Sequence, residues 1–466
     1  MRVNYKNVIN IAKVVLSNFT LLLAGIVTSF VLPKIFSLED YGCYKIYNLY
    51  STYIIVLQFG IVEGIYIKYG GKDLNDIKRE EFSGYFKSLL VLQSLFVILV
   101  FVFSISLLPD NTKFIGIALA INILIVNITN LFQYLSQAIQ RFTELSIRNV
   151  VKSVFMLFAV LIMFCLYKLN YFFIGYEIYI IFLTFINIIL LIWYIYTYRS
   201  ISIGNGKIHI SEIKNIVKVG FPLCLSNIIA SLILSLDRQI VLIFFETNDY
   251  AIYSFAYSLL TLISTIVTSV AVVMFSMFKQ KEEEIFLISY KKNIGYVSIL
   301  VSGMGCVYFP LRLFVRHFLP LYISSIPIFR VIIPGLMISC SISIVMHNYY
   351  KVLNLNFYFF RKSIAILFLS VISNLVAYYT FGTMESISYA SVIIMLIWYL
   401  ITEKMLKNKY NVSSEKNFCY LLLIMFSFYI CSCVEKVILG MFGYIILYSA
   451  ITCIFYKDII REMIKK

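Results

Sequence analysis

The sequence predicts an all-α protein that crosses a membrane many times. Three observations predict this fold class. Of the 466 residues, 61% are hydrophobic and only 13% are charged, and apolar runs long enough to cross a bilayer recur along the chain. A soluble domain is nearer about half apolar and about a quarter charged. A transmembrane β-barrel would show short segments of alternating hydrophobicity, and these runs do not alternate.

The apolar runs predict about fourteen membrane helices. The first run, 14–32, is too long for the apolar part of a signal peptide, so it is assigned to the first membrane helix. No predicted connection is long enough to be a soluble domain. The predicted spans lie near residues 10–32, 44–67, 85–108, 114–137, 149–168, 171–198, 215–245, 250–277, 291–310, 325–349, 360–381, 386–406, 417–434 and 437–456.

The basic residues are distributed unevenly between the predicted loops. With a cytoplasmic N-terminus, most lysines and arginines fall on the inner side, which is the bias that orients multi-pass proteins. Both termini are therefore predicted to be cytoplasmic. The formal net charge of +16 follows from these inner loops and requires no nucleic-acid partner.

A short motif occurs twice, once from Leu38 as LEDYGCYKIY and once from Thr247 as TNDYAIYSFAY. Six predicted helices separate the copies, so both have the same orientation, as in the parallel repeat of a transporter. Coincidence between two aromatic-rich turns is the alternative. The repeat predicts a six-helix bundle at 1–198, a cytoplasmic linker at 199–214, a second six-helix bundle at 215–410, and a helix pair with a cytoplasmic tail at 411–466. Such folds bind substrate between their repeats, which favours a transporter over an enzyme.

Charged residues inside predicted helices are candidates for function, because charge is costly in a membrane. Arg238 is predicted to meet a diphosphate or an acidic sugar, since a guanidinium group offers two parallel hydrogen bonds. Asp237 is assigned to the same substrate cavity. The alternative is an intramembrane ion pair between Asp237 and Arg238 that holds the two halves together. Glu63 is the candidate for taking up H⁺ or Na⁺ and coupling it to transport. The alternative for Glu63 is a pair with Lys68 near the inner interface.

Amide side chains share one face of the fourth predicted helix, at Asn130, Gln133, Gln137 and Gln140, with Arg141 just beyond. Amides that faced lipid would lack partners, so this face is predicted to point inward. It would either read sugar hydroxyl groups or form hydrogen bonds between helices.

Tyrosines recur at every third residue from Tyr41 to Tyr53. A stripe with this spacing spirals around a helix. The outermost tyrosines are assigned to the aromatic belt at the membrane interface. The deeper Tyr47 and Tyr50 are candidates for stacking on sugar rings, with helix packing as the alternative.

Four basic residues lie on the predicted outer side, against the general bias: Arg312, Arg316, His317 and Arg330. They form either a snorkelled interfacial loop or an outer vestibule that receives an anionic glycan or a diphosphate. The nine cysteines and three histidines show no spacing typical of a metal site or a disulfide framework, so no metal is expected. No cofactor is expected beyond H⁺ or Na⁺ coupling.

Five segments carry a family resemblance: LPKIFSLEDYGCYKIY (32–47), FGIVEGIYIKYG (59–70), QAIQRF (137–142), GFPLCLSNIIASLILSLDRQIVL (220–242) and DYAIYSFAYSL (249–259). With them, nearly the whole chain resembles the Wzx-type polysaccharide and O-antigen flippases of the multidrug/oligosaccharidyl-lipid/polysaccharide exporter superfamily. Lys68 is a departure, because such proteins often carry arginine there.

The resemblance implies a flippase, not an enzyme. It would move undecaprenyl-pyrophosphate-linked oligosaccharide repeat units across the bacterial cytoplasmic membrane by alternating access, for O-antigen or capsule synthesis. The expected partners are this lipid-linked glycan, membrane lipid, and a polysaccharide polymerase and chain-length regulator of the same pathway, around a monomeric protein. A multidrug exporter of the superfamily and a membrane-embedded polymerase or glycosyltransferase are the alternatives. Such polymerases carry a long external loop and glycosyltransferases usually need an Asp-x-Asp pair, and the sequence has neither.

Overall fold

The computed structural model describes residues 5–169, 175–278, 287, 289–353 and 355–464. Within these residues, eleven helices are long and apolar enough to cross a membrane, and a bent helix pair brings the number to up to twelve. The predicted all-α membrane fold is therefore confirmed. The count of about fourteen spans and the cytoplasmic position of the termini stay predictions.

The chain divides into two compact units, Met1–Ile228 and Ile229–Lys466. In unit 1, α1 packs along α6, and α4 packs along α5. The predicted domain limits at 198, 214 and 410 stay predictions. The helices of unit 1 are α1 (Tyr5–Ile35), α2 (Leu38–Ser51), α3 (Ile61–Tyr69), α4 (Arg79–Leu107), α5 (Asp110–Ala138), α6 (Phe142–Lys168), α7 (Tyr176–Thr197), α8 (Arg199–Ser202) and most of α9 (Ile210–Ile233).

Unit 2 is built around α14, which packs against α11 and α17. In the span that contains α14, 83% of the most apolar stretch is buried, so this helix forms the centre of the unit. The helices of unit 2 are α10 (Leu236–Phe244), α11 (Thr247–Phe278), α12 (Tyr290–Met304), α13 (Tyr308–Phe318), α14 (Ser325–Cys340), α15 (His347–Val352), α16 (Asn356–Phe381), α17 (Met384–Tyr410), α18 (Glu415–Ser432) and α19 (Val437–Ile464).

The two copies of the repeated motif occupy equivalent places, because each begins a helix of its own unit, α2 or α11. Tyr41 and Tyr44 in the first copy are buried, as are Tyr250 and Tyr253 in the second. Assigning the outermost tyrosines to a lipid-facing belt is therefore wrong for Tyr41 and Tyr44. Both side chains pack inside unit 1.

The second predicted span, 44–67, is not one continuous helix. After α2, a 3₁₀ turn at Ile54–Gln58 leads into a 62° bend, and α3 then begins. Phe59 and Gly60 have left-handed φ angles of 48° and 79°, which end one helix and redirect the chain into the next. Glu63 consequently lies in the first turn of α3 and not deep within a long helix.

The bend is held by a close approach of backbones within unit 1. Gly60 and Gly64, spaced as in a small-xxx-small motif, face Gly220 of α9. A Cβ atom at Gly220 would lie 2.0 Å from the Gly60 carbonyl oxygen, and one at Gly64 would lie 2.4 Å from the Ile216 carbonyl oxygen. Only residues without a side chain fit these positions.

The predicted span 215–245 is also interrupted. The helix stops at Ile233, and a new helix, α10, starts at Leu236. Asp237 therefore lies in the first turn of α10, as Glu63 lies in the first turn of α3. The positive end of a helix favours a carboxylate, and interrupted helices are typical of transporter binding sites.

The predicted linker at 199–214 includes α8, the start of α9 and a connecting segment that packs on α4. The Arg79 guanidinium group donates twice to the Ile203 carbonyl oxygen, at 3.0 and 2.6 Å. The Gly206 amide donates to Ser83 Oγ at 3.0 Å, and Lys87 Nζ donates to the Gly206 carbonyl oxygen at 3.1 Å. These bonds anchor the segment to the end of unit 1 from which α4 starts.

Candidate functional site

A charged cluster in unit 1 lies where the end of α3 meets the start of α4. The Lys68 ammonium group forms an ion pair with Glu81 and donates to the Tyr85 hydroxyl group at 2.7 Å. The hydroxyl groups of Tyr85 and Tyr69 lie 3.0 and 3.2 Å from the Glu81 carboxylate. Tyr85 also lies 3.3 Å from the Glu212 carboxylate of α9. The Tyr85 hydroxyl group thus links the Lys68–Glu81 ion pair to the Glu212 carboxylate.

This cluster lines a cavity of about 490 Å³ in unit 1, with charged and tyrosine groups beside apolar side chains. A neighbouring cavity of about 640 Å³ shares Glu81 and Glu212 with it. The smaller cavity is lined by Gly64, Ile67, Lys68, Glu81, Tyr85, Glu212, Asn215, Ile216 and Val219. It therefore offers hydrogen-bond donors, acceptors and an apolar wall to one bound group.

The predicted pair between Glu63 and Lys68 is wrong, because Lys68 pairs with Glu81. Sequence reasoning also missed Glu81, Tyr85 and Glu212 as members of a site. The one available signal was the acidic start of the apolar run at 80–81. This acidic pair in the sequence does not show which basic residue forms an ion pair with Glu81.

Glu63 is almost fully buried, with a relative exposure of 3%. Its carboxyl group interacts with the Cys224 thiol of α9, and Tyr134 of α5 lies within its electrostatic reach. Its Oε2 atom has no hydrogen-bond partner among the described residues. A buried carboxyl group with one oxygen free among the described residues is a suitable place for a cation, although the coupling role of Glu63 stays a prediction.

The amide face predicted on the fourth span is only partly formed. Helix α5 ends at Ala138, so Gln140 lies beyond it, with a left-handed φ of 58°. Gln133 and Gln137 are half-buried on α5. Arg141 is not available for substrate as a free cation, because it pairs with Glu144 at 2.7 Å. The cavity role of these residues stays a prediction.

The Asp237 carboxylate is the centre of a buried cluster in unit 2. Its Oδ2 atom accepts hydrogen bonds from the Tyr253 hydroxyl group, at 2.9 Å, and from Tyr257. Its Oδ1 atom accepts the backbone N–H of Arg238 at 2.8 Å. Ser388 of α17 donates to the Tyr253 hydroxyl group at 3.1 Å. The cluster thus links α10, α11 and α17.

The side chain of Arg238 points to a different set of contacts. Its guanidinium group lies over the Tyr257 ring, 4.8 Å from the centroid, and makes a long contact of 3.4 Å to the Leu234 carbonyl oxygen. The buried Nε atom has no hydrogen-bond partner among the described residues. Asp237 and Arg238 attract each other electrostatically but form no close side-chain ion pair, because Asp237 bonds two tyrosines and the backbone. Arg238 keeps donors for an anion.

The two tyrosines proposed for sugar stacking differ in exposure. Tyr47 is 4% exposed and interacts with Thr184 inside unit 1. Tyr50 is 40% exposed, with its ring edge-on to Tyr53 at 6.4 Å. Of the pair, Tyr50 has the surface that a ligand ring could contact, whereas Tyr47 packs in the helix interior.

The arginines predicted on the outer side do meet in space within unit 2. Arg312 and Arg330 both contact the turn at residues 432–434, and Arg316 lies one helical turn after Arg312 on the same helix. His317 is exposed and bonds the Leu313 carbonyl oxygen of its own helix at 3.0 Å. Among the described residues, no group of three or more His, Cys, Asp and Glu side chains is placed to hold a metal ion.

Taken together, these helices define the class: an all-α protein that crosses a membrane many times. The structure is similar to "Lipid II flippase MurJ, inward closed conformation", with a TM-score of 0.74 and 14% identity over 96% of this chain and 99% of that one. It is also similar to an inward-facing multidrug resistance MATE family transporter of the MOP superfamily (TM-score 0.57, 12% identity, 84% of this chain and 98% of that one). A MOP superfamily transporter from Pyrococcus furiosus matches as well (TM-score 0.53, 12% identity, 90% and 96%).

The chain belongs to the polysaccharide biosynthesis protein family, whose sequence model matches residues 8–282. A comparison with curated proteins finds no match. The predicted resemblance is thus confirmed at the level of family and fold. A multi-pass protein of this family is consistent with the bacterial inner membrane.

Proposed function

We propose that this protein is a flippase that moves polyprenyl-pyrophosphate-linked oligosaccharide repeat units across the bacterial cytoplasmic membrane. The observation that carries the proposal is the match to the polysaccharide biosynthesis protein family over residues 8–282. The fold shared with a lipid II flippase supports a lipid as the transported molecule. The protein acts as a monomeric transporter and not as an enzyme, and a polymerase with its chain-length regulator then builds O-antigen or capsule from the product.

The charged groups suit the two parts of this substrate. Arg238 has unpaired donors in unit 2 and takes the diphosphate, for which its fork-shaped guanidinium group is well matched. The 490 Å³ cavity in unit 1 takes sugar, because Glu81, Tyr85 and Glu212 offer polar groups beside an apolar wall. Gln133 and Gln137 extend the surface that reads sugar hydroxyl groups.

Alternating access requires an energy source, and Glu63 is the proposed coupling residue. Its buried Oε2 atom, unpaired among the described residues, takes up H⁺ or Na⁺. A buried carboxylate is costly while it is charged, so neutralising it stabilises the conformations in which it is out of contact with water. Cation uptake therefore shifts the population of the transporter toward those conformations. The bend at residues 59–60 of unit 1 places this group in the first turn of the helix that follows the bend.

Arg238→Gln should reduce translocation about tenfold to a hundredfold, since hydrogen bonds to a charged group contribute about 1.5–3 kcal/mol. Arg238→Lys should retain part of the activity, because it keeps the charge but loses the fork. Surface polymer and accumulated lipid-linked repeat units, measured at equal protein levels, report the effect. Arg361→Gln, at an exposed arginine of α16, is the matched control and should behave as wild type. Normal polymer in Arg238→Gln cells would remove Arg238 from the substrate path.

Depletion of the protein in its host tests the proposal as a whole. Complete repeat units on polyprenyl diphosphate should accumulate in extracted membrane lipids while surface polymer disappears, as mass spectrometry would show. Unchanged polymer without accumulation, in a strain with no second flippase, would contradict the proposal, and efflux of cationic drugs would then be measured. Short glycans at the outer surface, with only polymerisation lost, would favour a polymerase.

A further inference from the structure

Three arginines of unit 2 gather at one end of the helices, around the turn that joins α18 to α19. Arg312 and Arg316 lie one helical turn apart on α13, and Arg330 lies on α14. Arg312 Nη1 donates to the carbonyl oxygens of Ser432, at 3.0 Å, and Val434, at 3.3 Å. Arg330 Nη1 lies 3.6 Å from Cys433 Sγ. The turn therefore brings guanidinium groups from two helices together, and Arg316 lies one helical turn from Arg312 on α13.

Among the described residues, these three arginines have no acidic partner. Every ion pair that the described residues form involves other side chains, and the buried Nε atom of Arg312 has no hydrogen-bond partner in the same residues. The adjacent Glu435 and Lys436 are exposed and oppose each other in charge. Positive charges held close together repel each other unless an anion neutralises them. The three arginines are therefore suited to bind a multivalent anion.

The cluster lies at one end of the helices of unit 2, where α18 turns into α19. Helix α13 ends and α14 begins beside it, so it occupies the end of unit 2 opposite to the basic C-terminal turn of α17. Large apolar side chains next to the arginines are exposed: Leu313, Phe318 and Leu321. A basic surface bordered by exposed apolar groups matches a lipid that carries its negative charge in the head group.

We propose that Arg312, Arg316 and Arg330 form a binding site for the diphosphate head group of a polyprenyl lipid, at the end of unit 2 where translocated substrate is released. This inference rests on the proposed function and adds a second diphosphate site to Arg238. Three guanidinium groups exceed what a phospholipid phosphodiester, with its single negative charge, can neutralise. A diphosphate offers more charge and more oxygens for parallel hydrogen bonds.

The experiment measures binding of polyprenyl diphosphate to the purified full-length protein in neutral-lipid nanodiscs. Arg238→Gln is the reference, so that the Arg238 site does not contribute. Adding Arg316→Gln and Arg330→Gln should weaken binding at least tenfold, whereas replacing both with lysine should give an intermediate loss. Arg312 stays, because it bonds backbone carbonyls that hold the turn. Adding Arg361→Gln to the reference instead should leave the affinity for polyprenyl diphosphate unchanged. Thermal unfolding shows whether each variant is folded.

Comparison ligands separate the sources of phosphate. Phosphatidylglycerol should bind at least tenfold more weakly than polyprenyl diphosphate, polyprenyl monophosphate should fall between them, and inorganic pyrophosphate should compete. Equal binding of phosphatidylglycerol, or unchanged binding after both glutamine substitutions, would overturn the site. Binding is measured without translocation, so loss of this second site would not contradict the flippase proposal. Conversely, a failed translocation assay would not contradict the measured binding.

Discussion

Gly220→Ala is expected to destabilise unit 1 by about 3 kcal/mol or more, and larger residues at this position should prevent stable folding. The added Cβ atom would lie 2.0 Å from the Gly60 carbonyl oxygen and 2.3 Å from the Gly64 amide nitrogen. Both obstacles are backbone, so no side-chain rotation relieves the overlap, and α3 and α9 would have to separate. Yield of monodisperse protein and thermal unfolding in detergent measure the effect.

Gly443→Ala is the matched control for Gly220→Ala. This glycine also lies in a membrane helix, α19, but a Cβ atom there would meet only Cys431 Sγ, at an ordinary 3.5 Å. We expect its stability to stay close to wild type. If the Gly220 and Gly443 variants unfolded at the same temperature, the glycine contact between α3 and α9 would not be tight in the membrane protein.

Glu144→Gln is expected to lower the free energy of unfolding by about 3 kcal/mol, because it leaves the buried Arg148 without its counter-charge. The Arg148 side chain is 4% exposed, and its guanidinium group lies 4.0 Å from the Tyr194 ring centroid. Glu144 faces both Arg148, at 3.4 Å, and Arg141, at 2.7 Å, and accepts a hydrogen bond from Tyr198 at 3.1 Å. Thermal unfolding of the purified variant and of the wild-type protein measures this loss of stability.

Glu415→Gln tests whether burial is the cause. Glu415 pairs with Lys407, but these side chains are 69% and 50% exposed, so the loss should stay under about 1 kcal/mol. Combining Glu144→Gln with Arg148→Met should recover part of the stability lost by Glu144→Gln, since the unpaired charge is gone. Equal losses for Glu144→Gln and Glu415→Gln would show that water reaches Arg148.

The fold class was predictable because long apolar runs have few structural alternatives in a membrane. The breaks at 59–60 and 234–235 were not, since a single glycine or serine within a long, mainly apolar run is a weak signal of a helix end. Each break moves a predicted carboxylate, Glu63 or Asp237, into the first turn of a new helix.

The partners of the predicted charges were less accessible to sequence reasoning. Lys68 pairs with Glu81, and Asp237 bonds Tyr253 and Tyr257, so each partner lies beyond the helical turn in which sequence spacing is informative. Local spacing suggested the adjacent Arg238 as the partner of Asp237, but the backbone directs the two side chains to different neighbours. Packing between helices decides such pairs.

Translocation in reconstituted liposomes tests the flippase assignment most directly. A polyprenyl-pyrophosphate-linked oligosaccharide is placed in both leaflets, and a glycosidase added outside cleaves only exposed glycan. Liposomes with the wild-type protein should expose the inner pool and allow near-complete cleavage, whereas Arg238→Gln liposomes should do so at least tenfold more slowly. Cleavage that stops at the outer pool with wild-type protein, as in empty liposomes, would contradict the assignment.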